Sequence, residues 1–110
     1  PYEVVDDTHW VFEGTGLKNG DQFGTESQHE RVPGGASGHE TDKRSKSSPE
    51  NTLLLAQGLN ADGGGAEMVI HEPGGGGAVF SAGSINWPSS VLVDEGVSQI
   101  TANVVRRFVE

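Results

Sequence analysis

The sequence predicts an α/β chain that is rich in strands, closes on one C-terminal helix and carries long glycine-rich loops. Three observations predict it. Residues 67–85, EMVIHEPGGGGAVFSAGSI, place two apolar β-type segments on either side of a glycine corner. The tail VSQITANVVRRFVE spaces Val97, Ile100, Val104 and Phe108 by three and four, which is one stripe of a helix. Residues 51–60, NTLLLAQGLN, set Leu53, Leu54 and Leu55 in succession between turn residues, as in a strand covered on both faces. Such a unit cannot bury both faces of its sheet alone, so the chain is expected to be one part of something larger.

The elements follow in order. Residues 8–17, THWVFEGTGL, read as a short strand with Trp10 and Phe12 on one face and Val11 on the other. Gly14, Gly16 and the Asn19-Gly20 turn stop it, because Asn and Gly tolerate positive φ. Residues 25–50 are polar, broken by Pro33, Gly34, Gly35, Gly38 and Pro49, and read as an exposed loop. After the leucine run, residues 62–65 break the chain. Residues 67–72 then form a strand with Met68 and Ile70 on one face and Val69 and His71 on the other. The glycines at 74–77 turn it, and residues 78–85 return antiparallel. The helix should begin near residues 96–98 and end near Val109, with Arg106 and Arg107 complementing the dipole of its last turn. This makes four strands and one helix, in a single domain over 1–110 or the C-terminal segment of a larger one.

Composition narrows the function. Only 33% of the 110 residues are hydrophobic and 17 are glycine, which brings no side chain to a core, so a partner surface would help the fold. The net charge of −9 repels phosphate backbones and anionic membranes, which excludes nucleic acid and membrane surfaces as expected partners. No cysteine is present, so disulfides, thiolate metal sites and a cysteine nucleophile are excluded. The start, PYEVVDD, has neither a basic nor an apolar signal region, and no run reaches the roughly 20 apolar residues of a membrane span. A soluble, cytoplasmic protein is expected. The start at a proline suggests a processed or excised piece.

Several segments invite chemistry. Histidines stand at 9, 29, 39 and 71, none paired one helical turn apart and none in HExxH. His39-Glu40 and His71-Glu72 are adjacent pairs, so on a strand each offers only one residue to a given site. The glycines at 74–77 join two strands and bring no lysine, unlike a phosphate cradle, which opens a helix. Gly83-Ser84 lacks the second glycine of a nucleophile elbow. Residues 60–67, NADGGGAE, have oxygen ligands but not EF-hand spacing; calcium there is a minor option. Glu13 ends the aromatic segment just before a Gly-Thr-Gly corner. It reads either as a carboxylate entering a cleft at a strand terminus or as a capping or hinge salt bridge.

Taken together, HWVFEGTGLKNGDQFG, SGHETD, AEMVIHEPGGGGAVFSAGSINW and VSQITANVVRRF resemble the C-terminal domain of the large (beta) subunit of the N,N-dimethylformamidase family. The resemblance spans nearly the whole chain in order and is weakest between residues 25 and 50. It implies a glutamine-amidotransferase-like sheet domain, from a subunit that hydrolyses dimethylformamide to dimethylamine and formate with an iron held by two tyrosines and a glutamate. This chain has one tyrosine, Tyr2, outside those segments, so the resemblance implies that the iron ligands lie elsewhere in the intact enzyme. It implies no cofactor or metal within this chain. Glu13, in the FEGTGL segment, carries over as a catalytic carboxylate, general base or orienter. His39 and Glu40 fall where the family pattern has an aromatic before the glutamate, so His39 is a departure. The implied partner is the upstream part of the same polypeptide or a companion subunit, with a homo-oligomer as a further option.

Two readings of function stand beside each other. One is the C-terminal segment of an amidohydrolase that lacks the iron ligands itself. The other is a non-catalytic structural or interaction domain with an acidic surface; a small calcium- or zinc-binding module is a weaker third.

Overall fold

The computed structural model describes residues 1–28, 35–38, 41–60 and 65–110. Within them the strands are β1 (Tyr2–Val4), β2 (Gln22–Phe23), β3 (Leu53–Gly58), β4 (Glu67–His71) and β5 (Val79–Ser81), followed by helix α1 (Glu95–Val109). They form one five-stranded sheet in the order β2-β1-β3-β4-β5, and every neighbouring pair is antiparallel. The strand-rich sheet and single C-terminal helix are as expected. The α/β reading is corrected in one respect: among the described residues the sheet has no parallel pair, and the helix packs on an antiparallel sheet.

The expected hairpin is present, with Val69 opposite Ser81, Ile70 opposite Phe80 and His71 opposite Val79. Met68 and Ile70 are wholly buried, whereas Val69 and His71 are half-buried on the other face, so the alternation of β4 is real. The leucine run forms β3, with a bulge between Leu54 and Ala56. The extra residue lets Leu55 and Ala56 both lie in the core while Leu53 stays 43% exposed. The run is thus not a strand covered on both faces.

Two expectations fail. Residues 8–17 contain no strand: Trp10–Phe12 is one turn of 3-10 helix, and Val11 and Phe12 are both buried, so the apparent alternation had no sheet behind it. The strands that do occupy the N-terminal part, β1 and β2, were not expected. Each is only two or three residues long, too short for a pattern of period two to be legible. Within residues 25–50 the basic segment around Lys43 and Lys46 is exposed, but Ala36 and Ser37 are wholly buried.

A small apolar inventory makes this core because the aromatics are concentrated. The four phenylalanines, two tryptophans and one tyrosine each lie against another aromatic ring. Tyr2 stacks on Phe23 at 5.3 Å, and Trp87 meets Tyr2, Phe23 and Phe80 edge to face at 5.6–6.5 Å. Such pairs add about 1 kcal/mol each beyond area burial. Val97, Ile100 and Val104 of α1 join the same buried cluster as Val4, Leu55 and Met68. Phe108, the last residue of the stripe, is 45% exposed and rests edge-on against Trp10. Asp94 caps the helix by accepting from the Val97 N–H at 3.1 Å. Among the described residues no helix is long and apolar enough to cross a membrane.

Candidate functional site

The turn at residues 9–13 is the best-connected polar feature near the sheet end. It forms because His9 caps it with its own ring: Nδ1 accepts the Val11 N–H at 3.2 Å. The Phe12 and Glu13 N–H groups then donate to the carbonyls of His9 and Trp10, each at 3.1 Å. With Nδ1 an acceptor, the ring hydrogen belongs on Nε2, which donates to Glu72 Oε1 at 2.6 Å. The other oxygen of Glu72 accepts from the Trp10 indole at 3.0 Å. One carboxylate just past β4 therefore holds two consecutive residues of the turn.

Partial burial opposes ionisation of Glu72, but the Trp10 and His9 hydrogen bonds, with the charge of Arg107, outweigh it. They hold the carboxyl below its ordinary value. Arg107 lies over the Trp10 ring at 5.1 Å, which ties the same turn to the end of α1. From the middle of the helix, the Asn103 amide donates to the Val11 carbonyl at 2.9 Å and to the Glu13 carbonyl at 2.7 Å. Gln99, one helical turn earlier, donates to Asn103 Oδ1 at 2.9 Å and so fixes which way the amide points. The turn is held from the sheet by Glu72 and from the helix by Asn103.

Glu13 is the exposed end of this braced turn. Among the described residues its carboxylate takes part in no hydrogen bond or ion pair. The backbone beyond it turns sharply at Gly14, whose φ of +77° suits glycine. Glu13 borders a hollow of about 150 Å³ with Trp10, Asn103, Arg106, Arg107 and Glu110. The carboxylate is thus open to solvent while the Glu13 carbonyl is held by Asn103.

The other sequence candidates separate. His71 and Glu72 do face apart: Glu72 braces the turn, whereas His71 lies on the outer sheet face beside a hollow of about 200 Å³, and its Nδ1 is buried with no partner among the described residues. His29, His39 and Glu40 lie outside the described residues, as does part of the calcium candidate at 60–67. Ser84 is occupied structurally, its hydroxyl donating to the Gly38 carbonyl and accepting from the Asn86 N–H. Asn103 and the bracing role of Glu72 were missed. The available signal was the polar pair Gln99 and Asn103 at a spacing of four, beside the apolar stripe.

An iron site of two tyrosines and a glutamate does not fit the residues present. Tyr2 is wholly buried, its hydroxyl donates to the Ala82 carbonyl, and burial pushes the phenol up. Among the described residues, no three of His, Asp or Glu cluster closely enough to hold a metal ion.

The antiparallel sheet, the single closing helix and the braced FEGTG turn make up a small sheet-and-helix module. Residues 1–99 match the family described as N,N-dimethylformamidase beta subunit-like, C-terminal, and the chain belongs to that family. No curated protein matches the sequence.

Proposed function

We propose that the chain is the C-terminal segment of an N,N-dimethylformamidase-like amidohydrolase and contributes Glu13 to a site completed by another part of the protein. The observation that carries the proposal is a free, exposed carboxylate on a turn held from two sides, in a chain of this family. The completing part is the remainder of the same polypeptide, with which this chain would share a glutamine-amidotransferase-like sheet domain, or a companion subunit. The iron ligands of the family belong there.

An unactivated amide is a poor electrophile, so its hydrolysis needs a water deprotonated as it attacks and a protonated leaving group. Glu13 takes the proton as the water oxygen bonds to the carbonyl carbon. It returns that proton to nitrogen as the C–N bond breaks, releasing the amine and a carboxylic acid, which ionises by losing its proton to water. The test is amine release from dimethylformamide by the intact assembled protein. Wild type should turn over, and Glu13→Gln should lose about 10²- to 10⁴-fold in kcat while keeping its Tm.

A second reading, a non-catalytic interaction domain, is favoured by the exposed apolar side chains Leu92, Val105 and Val109. On that reading Glu13→Gln binds its partner and turns over as wild type does.

A further inference from the structure

We infer that Asn103 is a positioning residue for Glu13, oriented in turn by Gln99; the inference rests on the proposed role of Glu13. The amide of Asn103 spends both hydrogens on the carbonyls of Val11 and Glu13, at 2.9 and 2.7 Å, across about ninety residues of chain. The 3-10 turn is a single turn, and its last carbonyls have no partners within it. Asn103 supplies partners for the Val11 and Glu13 carbonyls, and the Thr15 N–H and hydroxyl supply them for Phe12, so the direction in which the Glu13 carboxylate leaves the backbone is set jointly by the helix and by the Phe12–Thr15 turn.

The amide has to point the right way to do this. If it were reversed, an oxygen would face two carbonyl oxygens. Gln99 prevents reversal by donating to Oδ1 at 2.9 Å, leaving Nδ2 for the turn. Gln99 also packs under the corner that follows, its side chain within 3.6–3.9 Å of where a Cβ on Gly14 would stand. The hydrogen-bonded series Gln99–Asn103–Glu13 thus runs from the first half of α1 to the exposed carboxylate. The other brace, Glu72, acts on residues 9 and 10 and does not reach the Glu13 backbone.

The experiment is a double-mutant cycle in the intact assembled protein, read as kcat and KM for amide hydrolysis beside Tm. Asn103→Ala should lower kcat about 10- to 100-fold, as expected when a catalytic group is misplaced by about 1 Å, with KM little changed. Placed on Glu13→Gln, the same substitution should cost nothing further in kcat, because the group it aims is gone. A merely structural role gives the same proportional loss in both backgrounds and would overturn the inference, as would a wild-type kcat in Asn103→Ala. Wild-type kcat in Glu13→Gln alone would instead sink the reading on which it rests. Should Asn103→Ala not fold, Gln99→Leu removes only the orienting bond. A smaller loss of kcat that again vanishes in Glu13→Gln is expected, and an unchanged kcat counts against the inference.

Discussion

Glu72 and His9, 63 residues apart, are joined by a 2.6 Å hydrogen bond that fastens the end of β4 to the turn bearing Glu13. The second oxygen of Glu72 holds Trp10, so the carboxylate bridges two neighbouring side chains. Neither contact follows from the pattern of either segment; both follow from β4 ending beside the turn.

The bridge makes acid stability measurable. The folded-state pKa of Glu72 is lowered from an ordinary 4.5, so its contribution is present above about pH 4.5 and is lost as pH falls through the folded value. Glu67 acts in the same direction, since the Arg44 hydrogen bond outweighs desolvation and lowers its pKa. Denaturant unfolding at pH 7 and pH 3 should show Glu72→Gln less stable than wild type at pH 7, by about 1 kcal/mol. The difference should shrink at pH 3. An equal difference at both values would show that the charge of Glu72 does not contribute.

Ile100 is wholly buried in the cluster that joins α1 to the sheet. Ile100→Ala should cost about 2–5 kcal/mol in equilibrium unfolding. The exposed Val105, on the same helix and 56% accessible, should tolerate alanine within about 0.5 kcal/mol. Similar losses at both positions would mean that α1 does not pack as described.

Gly83 has a φ of +77°, and a Cβ there would stand 2.4 Å from the Glu67 carbonyl oxygen. Gly83→Ala should therefore destabilise by about 2 kcal/mol or more, by forced backbone movement. Gly75, at the tip of the β4–β5 corner, has open space where a Cβ would stand. Gly75→Ala should change stability by no more than about 0.5 kcal/mol. Thermal melts of the two variants side by side check the contrast.

Asp94 fixes the start of α1 through the Val97 N–H and also accepts from the Glu26 N–H at 3.3 Å. Asp94→Ala should cost about 1 kcal/mol and Asp94→Asn less, because the amide oxygen still caps. A melt in which Asn and Ala are equally damaging would contradict the capping role.

What was legible in the sequence was long and periodic. The hairpin of β4 and β5 announced itself through Met68, Ile70 and the four glycines, and α1 through Val97, Ile100 and Val104. What was not legible was short or decided by distant partners. Trp10-Val11-Phe12 alternates like a strand, but the His9 ring caps it into a turn, and one acceptor at a spacing of two leaves little trace in composition. Tyr2–Val4 becomes a central strand only because β3 and β2 pair on either side of it. At the site, Glu13 was visible from its place before Gly-Thr-Gly. Asn103, which holds its backbone, and Glu72, which braces the turn through the side chains of His9 and Trp10, were not, because such long-range side-chain bonds carry no motif.

The most direct measurement is kcat for amine release from dimethylformamide by the intact protein carrying Glu13→Gln, beside Glu95→Gln, a neutralised carboxylate in the first turn of α1. A fall of about 10²-fold or more for Glu13→Gln alone, with Tm unchanged in both, is the expected result. A folded Glu13→Gln protein that turns over like wild type would contradict a catalytic role for this turn and leave the chain as a non-catalytic module of its family.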